Sequence, residues 1–226
     1  MGVKKAAILV SALALSVSLL VMGCGTKKES SRTTPVNTAT GKELQITNVQ
    51  LFQLPYQSSS SPKVIDVVFK ATNPYKDYYS YNTYVKFNLY DSSGKIVGTD
   101  NGCIWSVYPG SRWGFMSVSC VGDPVKVETH PETPNWRKIA PANIPKATIT
   151  QSTSEGSQVV GSLKYEGSST PTQIQITGVI LDANGSVINH GVTQIQNPTV
   201  GDNAFNLIWT EQGNTAGRTE FSFEFI

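Results

Sequence analysis

Few side chains in this chain have the type and spacing to do chemistry. Glu128, His130 and Glu132 alternate and could offer three oxygen and nitrogen ligands to a zinc ion. They lie in a stretch interrupted by Pro124, Pro131, Pro134, Pro141 and Pro145. An exposed, Pro-rich segment holds ligands poorly and no fourth ligand stands nearby, so no metal site and no cofactor is expected. The other histidine, His190, follows a turn late in the chain. No serine sits in a G-x-S-x-G elbow, and no cysteine has a histidine at a suggestive spacing, so the parts of a triad hydrolase are missing. Asp91 and Asp182 are isolated acids in turn sequences and cannot do paired acid–base work. No catalytic residue is expected. An enzyme acting on envelope polymers would need a cleft with convergent acids that the sequence does not announce.

Three cysteines remain to be placed. Cys24 closes Val21-Met22-Gly23-Cys24 at the end of an uncharged run from Ala6 to Met22, which follows Lys4 and Lys5. A basic start and an apolar run describe an export signal. The tetrapeptide resembles the lipobox of bacterial lipoproteins, with Val21 where Leu is more usual. That resemblance implies cleavage after Gly23 and lipidation of Cys24 with a diacylglycerol and a fatty acid such as palmitate. Each buried methylene contributes about 0.8 kcal/mol, so two or more chains anchor durably. The expected location is the extracytoplasmic side of a cell membrane, held there by lipid. An uncleaved anchor helix would leave the folded part on the same side.

Cys103 and Cys120 lie seventeen residues apart, and an oxidising exterior permits them to pair. Such a bridge would contribute about 3 kcal/mol in the chain-entropy model. The alternative is two buried thiols. Cys103 alternates with Trp105 and Val107, and Cys120 with Met116 and Val118, so both read as core-facing.

A cluster of tyrosines, Tyr75, Tyr78, Tyr79, Tyr81 and Tyr84, with Tyr90 close behind, is the one surface feature that suggests recognition. Tyr offers large, rigid, amphipathic contact area suited to a peptide or a sugar. The competing reading is that these are strand formers covering one sheet face.

The elements that would position these residues are strands. Val85, Phe87 and Leu89 alternate with Lys86, Asn88 and Tyr90 before Asp91-Ser92-Ser93-Gly94, which reads as a strand running into a tight turn. Asp182 and Gly185 repeat Asp91 and Gly94 at a common offset of 91 residues, so two similar domains are expected. Strand patterns also cover Leu44–Leu51, Lys63–Ala71, Lys95–Thr99, Gly102–Tyr108 and Arg112–Cys120. They resume at Ala147–Thr150, Val159–Tyr165, Thr172–Asp182, Ser186–His190 and Val192–Ile195. Phe221, Phe223 and Phe225 alternate with Glu220, Ser222 and Glu224 in a closing strand. No amphipathic helix of ordinary length is present.

Phe87-Asn88-Leu89-Tyr90-Asp91, with the Gly94 turn, the strand end near Asn73 and Pro109-Gly110 before Phe115, resembles the FxLYD domain family over about Lys42 to Val127. In the second half Gly178 and Leu181 replace Phe and Tyr, while Ile180, Asp182 and Gly185 keep the pattern. The resemblance implies an exported immunoglobulin-like scaffold, often in lipoproteins, with no catalytic site to carry over.

The expected organisation is a lipoprotein signal peptide at 1–23, a lipidated cysteine and polar tether at 24–41, and a β-sandwich at 42–127. A Pro-rich linker at 128–146, whose Trp136 docks on one domain, then leads to a second β-sandwich at 147–226. The fold class is all-β, two tandem immunoglobulin-like sandwiches. Removing 1–23 takes Lys4 and Lys5 from 18 basic side chains, which leaves 16 against 16 acidic ones. A neutral chain has no basic field for nucleic acid, so no nucleic-acid partner is expected. The expected partners are the membrane, through Cys24, and an envelope protein or glycan. The expected role is a non-catalytic binding module, or else an accessory or assembly subunit of a membrane complex.

Overall fold

The strand patterns form strands. A computed structural model describes residues 42–54, 62–211 and 216–226. The signal peptide, Cys24 and the tether lie outside the described residues. The described strands are β1 (Gln45–Gln53), β2 (Lys63–Asn73), β3 (Tyr78–Tyr90), β4 (Ile96–Val107), β5 (Gly110–Cys120), β6 (Lys126–Pro131) and β7 (Asn135–Lys138). After them come β8 (Lys146–Glu155), β9 (Gln158–Glu166), β10 (Gln173–Leu181), β11 (Val187–Gln196), β12 (Gly201–Ile208) and β13 (Arg218–Phe225). The fold is all-β and antiparallel, with strands packed in sandwiches. Among the described residues no helix is long and apolar enough to cross a membrane.

In the first half the order is β1-β2-β5-β4-β3-β6, with β7 pairing the start of β3. Between β5 and β4 the ladder is a single residue pair, Gly98 with Cys120, where the sheet turns the corner into a second layer. The layers face each other across a core of Ile65, Val67, Phe69 and Ala71 from β2, Val85, Phe87 and Leu89 from β3, and Val118 from β5. The rings of Phe69 and Phe87 meet across it at 5.4 Å. Alternation of apolar residues with a period of two delivers this inward set, since successive side chains on a strand point to opposite faces.

The second half repeats the plan. One layer is β12-β9-β8, the other β11-β10-β13, and the corner between them is the lone bridge of Gly191 with Trp209. Leu163, Tyr165, Ile174, Ile176, Ile180 and Leu207 fill the core. The two turns match in their backbone bonds. Asp91 Oδ1 accepts from the Ser93 and Lys95 amides at 2.9 and 3.0 Å, and Asp182 Oδ1 accepts from those of Asn184 and Ser186 at 2.8 Å each. Gly94 and Gly185 both hold φ at 81°, where a Cβ would be strained. The Ser93 hydroxyl, which also donates to Asp91, holds that carboxyl below the usual range, with the Lys95 amide adding to it.

The structure differs from the sequence expectation in three places. The segments expected at Lys95–Thr99 and Gly102–Tyr108 are one strand, β4, because Asp100 and Asn101 continue the ladder opposite Phe87 and Lys86, and those expected at Ser186–His190 and Val192–Ile195 are likewise one strand, β11, because Gly191 continues the ladder opposite Gly178. The Pro-rich stretch is sheet as far as Lys138: β6 pairs the second part of β3 and β7 its first part. Pro131 ends β6 opposite Val85, and edge position makes its missing N–H harmless. Trp136 in β7 is 2% exposed, packs into the first core and donates from Nε1 to the Lys42 carbonyl at 2.9 Å.

The third difference concerns the cysteines. Cys120 stands opposite Gly98, and Cys103 lies five residues further along β4, which at about 3.3 Å per residue is about 16 Å away. A bridge needs Cα atoms within about 7 Å. The faces differ too: Gly102 and Ile104 look into the core, so Cys103 between them looks out, opposite Tyr84. Cys103 and Cys120 are therefore not a disulfide pair. Burial raises the pKa of the Cys120 thiol.

The corner glycines are steric requirements. A Cβ on Gly98 would sit 2.7 Å from the Ser119 carbonyl oxygen, and one on Gly191 2.5 Å from that of Ile208. Backbone cannot yield as a side chain can, so Gly98→Ala and Gly191→Ala should each lower stability by roughly 1–3 kcal/mol. Denaturant midpoints of the two variants check this; wild-type midpoints would contradict the corner assignment.

Candidate functional site

The faces of β2, β5, β10 and β13 that point away from the two cores are buried against each other. All the described residues belong to one compact unit, in which β10 and β13 lie on β5 and β13 also lies on β4. Phe52, Val68 and Trp113 of the first half pack with Val179, Leu181 and Val187 of the second in a third apolar cluster. Side chains of this size contribute about 1.5–3 kcal/mol each when fully buried.

Polar groups fill the rest of this seam. Glu224, 5% exposed, sits on the outward face of β13 between Phe223 and Phe225. Its Oε1 receives Arg112 Nη2 at 2.5 Å and the Trp105 and Ser106 amides at 2.7 and 3.2 Å. Ser106 Oγ donates to the Phe225 carbonyl at 3.0 Å. Ser222 Oγ accepts from the Trp113 amide at 2.9 Å, and Glu220 from the Trp113 indole at 2.8 Å. Glu220, Ser222 and Glu224 of the closing strand thus all bond the other half.

A second polar cluster has the residue types of a hydrolase. Asp66 Oδ2 lies 3.0 Å from His190 Nε2, and Thr210 Oγ1 lies 3.2 Å from the same nitrogen. Ser117 Oγ donates to Asp66 Oδ1 at 2.7 Å. In a catalytic relay the acid binds one ring nitrogen and the nucleophile the other. Here both meet Nε2, whereas Nδ1 has no hydrogen-bond partner among the described residues. The ring is 1% exposed and flanked by Phe52 and Phe115, with no approach for a substrate. The cluster is a seam contact.

The tyrosines divide between settings. Asn82 sits at φ 50° in β3, between the pairs of Tyr81 with Ser106 and Thr83 with Ile104, and the register with β4 is the same on both sides of it. The alternation changes phase there, leaving Ser80 and Thr83 inward and Tyr79, Tyr81 and Tyr84 outward. Tyr75 and Tyr78 pack on the core, and Tyr75 meets Trp136 edge-on at 5.0 Å. Tyr81 lies under the Arg137 guanidinium at 4.3 Å. Tyr79 stacks on Tyr108 at 5.1 Å. The five do not form one continuous face.

Glu128, His130 and Glu132 do not converge either. Glu128 is engaged by Lys126 at 2.7 Å and by the Tyr90 hydroxyl at 2.9 Å, which together hold its carboxyl below the usual range. His130 Nε2 is 3.8 Å from Glu128. Among the described residues no group of three or more His, Cys, Asp and Glu side chains is placed to hold a metal.

The seam opens at one end into a pocket of about 160 Å³ lined by Tyr108, Tyr165 and Phe225 together with Asn143, Ser168 and Ser169. Tyr108 meets Phe225 edge-on at 5.8 Å, and Tyr165 meets the same ring at 5.7 Å. Tyr165 Oη donates to the Ser169 carbonyl, which ties the β9–β10 loop to the wall. Burial, then the neighbouring phenols of Tyr79 and Tyr165, push the Tyr108 pKa up to about 12. Sequence reasoning missed this site. Tyr108 beside Pro109-Gly110 was a visible signal, but the lining comes from four distant segments that no local pattern connects.

No protein-family model matches the chain, and no curated protein matches it.

Two outcomes test the seam. Arg112→Ala leaves the Glu224 carboxylate buried without its cation and should destabilise the protein by about 3–5 kcal/mol, with Arg112→Ala/Glu224→Ala showing less than the sum of the single effects. Denaturant unfolding measures both. Absorbance titration should show one tyrosine ionising near pH 12, missing in Tyr108→Phe. A phenol whose pKa is raised by folding favours the folded state below about pH 10 and loses that contribution as pH rises toward 12.

Proposed function

We propose that the chain is a cell-envelope lipoprotein, anchored through lipid on Cys24, whose folded part is a non-catalytic binding module on the extracytoplasmic side. Val21-Met22-Gly23-Cys24 at the end of an uncharged run is the observation that carries the anchor. The FxLYD-like strand and the repeated sandwich plan support an immunoglobulin-like scaffold of two domains. In that scaffold the motif residues are structural: Phe87 and Leu89 fill the core, Asn88 accepts from Thr99, and Asp91 makes the turn. The binding reading is supported by the seam, which makes two sandwiches behave as one body and opens into a preformed pocket between them. Its partner in this reading is an envelope protein or glycan.

A second reading, an accessory or assembly subunit of a membrane complex, is favoured by one observation. Ile96, Val121 and Val125 are half or more exposed and gather beside the Asp91 turn, where the Val121 amide bonds Val97 and the Val125 amide bonds Tyr90. Co-purification of fixed partners, lost on Val121→Lys/Val125→Lys, would establish that reading.

Labelling cells with a fatty-acid probe tests the anchor. Wild type should carry label and sediment with membranes, whereas Cys24→Ala should be unlabelled and keep its leader. An unlabelled wild type overturns the proposal.

A further inference from the structure

We infer that the pocket at the end of the seam is a binding site for a single neutral sugar ring, a pyranose unit of a glycan. The inference rests on the binding-module reading and names the ligand class for it. Three features of the lining carry it. The first is its aromatic wall. Tyr108 and Phe225 present their rings at a fixed tilt, Tyr165, 1% exposed, backs Phe225, and Tyr79 stacks on Tyr108, so the wall is rigid before any ligand arrives. The face of an aromatic ring carries negative potential and attracts the weakly positive C–H bonds on one side of a pyranose.

The second feature is what stands with those rings. Asn143 supplies an amide with donors and an acceptor, and Ser168 and Ser169 supply hydroxyls, which suits a ring of alcohol groups that both donate and accept. The Tyr108 hydroxyl, with no hydrogen-bond partner among the described residues, adds a further polar group to the lining. The third feature is the absence of cationic side chains beside the main-chain carboxylate of Ile226. No acidic or basic side chain lines the pocket, and both phenols stay protonated through the neutral range. An anionic headgroup or a phosphate would find no counter-charge and would meet the carboxylate of Ile226. A purely apolar group would leave the amide and hydroxyls unpaired, at a penalty of about 1–3 kcal/mol for each group cut off from water.

Size agrees. A volume of about 160 Å³ is well under the roughly 300 Å³ at which drug-sized sites begin, so the pocket takes one ring and leaves the rest of a chain outside. Its place agrees too, because ligand sites favour junctions between packed units. Gly167 makes the closure feasible: a Cβ there would stand 1.9 Å from Tyr165 Oη, so only glycine lets the loop fold over the ring.

Saturation-transfer NMR on the full chain, held in a detergent without a sugar headgroup, tests the site. The probes are methyl β-D-glucopyranoside, N-acetylglucosamine and, as the competing chemistry, acetylproline amide. Transfer should reach the C–H face of a pyranoside. Asn143→Ala and Tyr108→Phe each delete hydrogen-bonding capacity and should weaken binding roughly fivefold. Asn143 is exposed, so its truncation leaves the fold intact, and near-ultraviolet circular dichroism verifies that for both variants. No transfer to either sugar, equal transfer in wild type and variants, or transfer to acetylproline amide alone would overturn the inference. A failed anchor shows instead as missing fatty-acid label, so the two failures are separable.

Discussion

One buried carboxylate organises this molecule. Glu224 stands among phenylalanines on the last strand, and it is satisfied by Arg112 and two consecutive amides of β4, all from the other half of the chain. A charge taken out of water is tolerated only where partners compensate for its lost hydration. That condition is met in one relative placement of the two sandwiches, so the polar seam specifies their alignment while Val68, Trp113, Val179 and Leu181 supply the apolar area. Asp66 and His190 repeat the device across β2 and β11.

Corners are the second constraint. Each sandwich changes layer at a single residue pair, and each pair uses glycine because two backbones come within van der Waals contact there. The same plan serves both halves, with equivalent strand orders and identical Asp-based turns. What differs is which surfaces are consumed. The first half gives the outer faces of β2 and β5 to the seam, and the second gives those of β10 and β13. The first half also recruits β7 and Trp136 to close the end of its core near Lys42.

For function, the seam matters more than any single residue. It takes the most enzyme-like side chains, Asp66, His190, Thr210 and Ser117, and turns them into packing. It also creates a concave pocket bordered by aromatic rings that neither half would have alone.

Much of the fold was legible in the sequence. Alternation placed Ile65, Val67, Phe69, Val85, Phe87 and Leu89 in one core and Ile174, Ile176 and Ile180 in another, because side-chain direction on a strand is a local property. Asp91 and Asp182 marked their turns for the same reason: an Asx-turn closes within five residues. The left-handed backbone at Asn82 was not legible, and it moves the inward position from Ser80 to Thr83 in a way that spacing cannot show. Nor was the pairing of Cys103 with Tyr84, which depends on where β4 leaves β5. The pocket lay beyond sequence reasoning because its lining is gathered from segments more than a hundred residues apart. Glu220, Ser222 and Glu224 make the general point. By itself the sequence determined that they share one face of a strand, since that follows from a period of two. Only the tertiary structure decided that this face meets protein instead of water, because a polar residue can be satisfied by either, and its partners lie more than a hundred positions away.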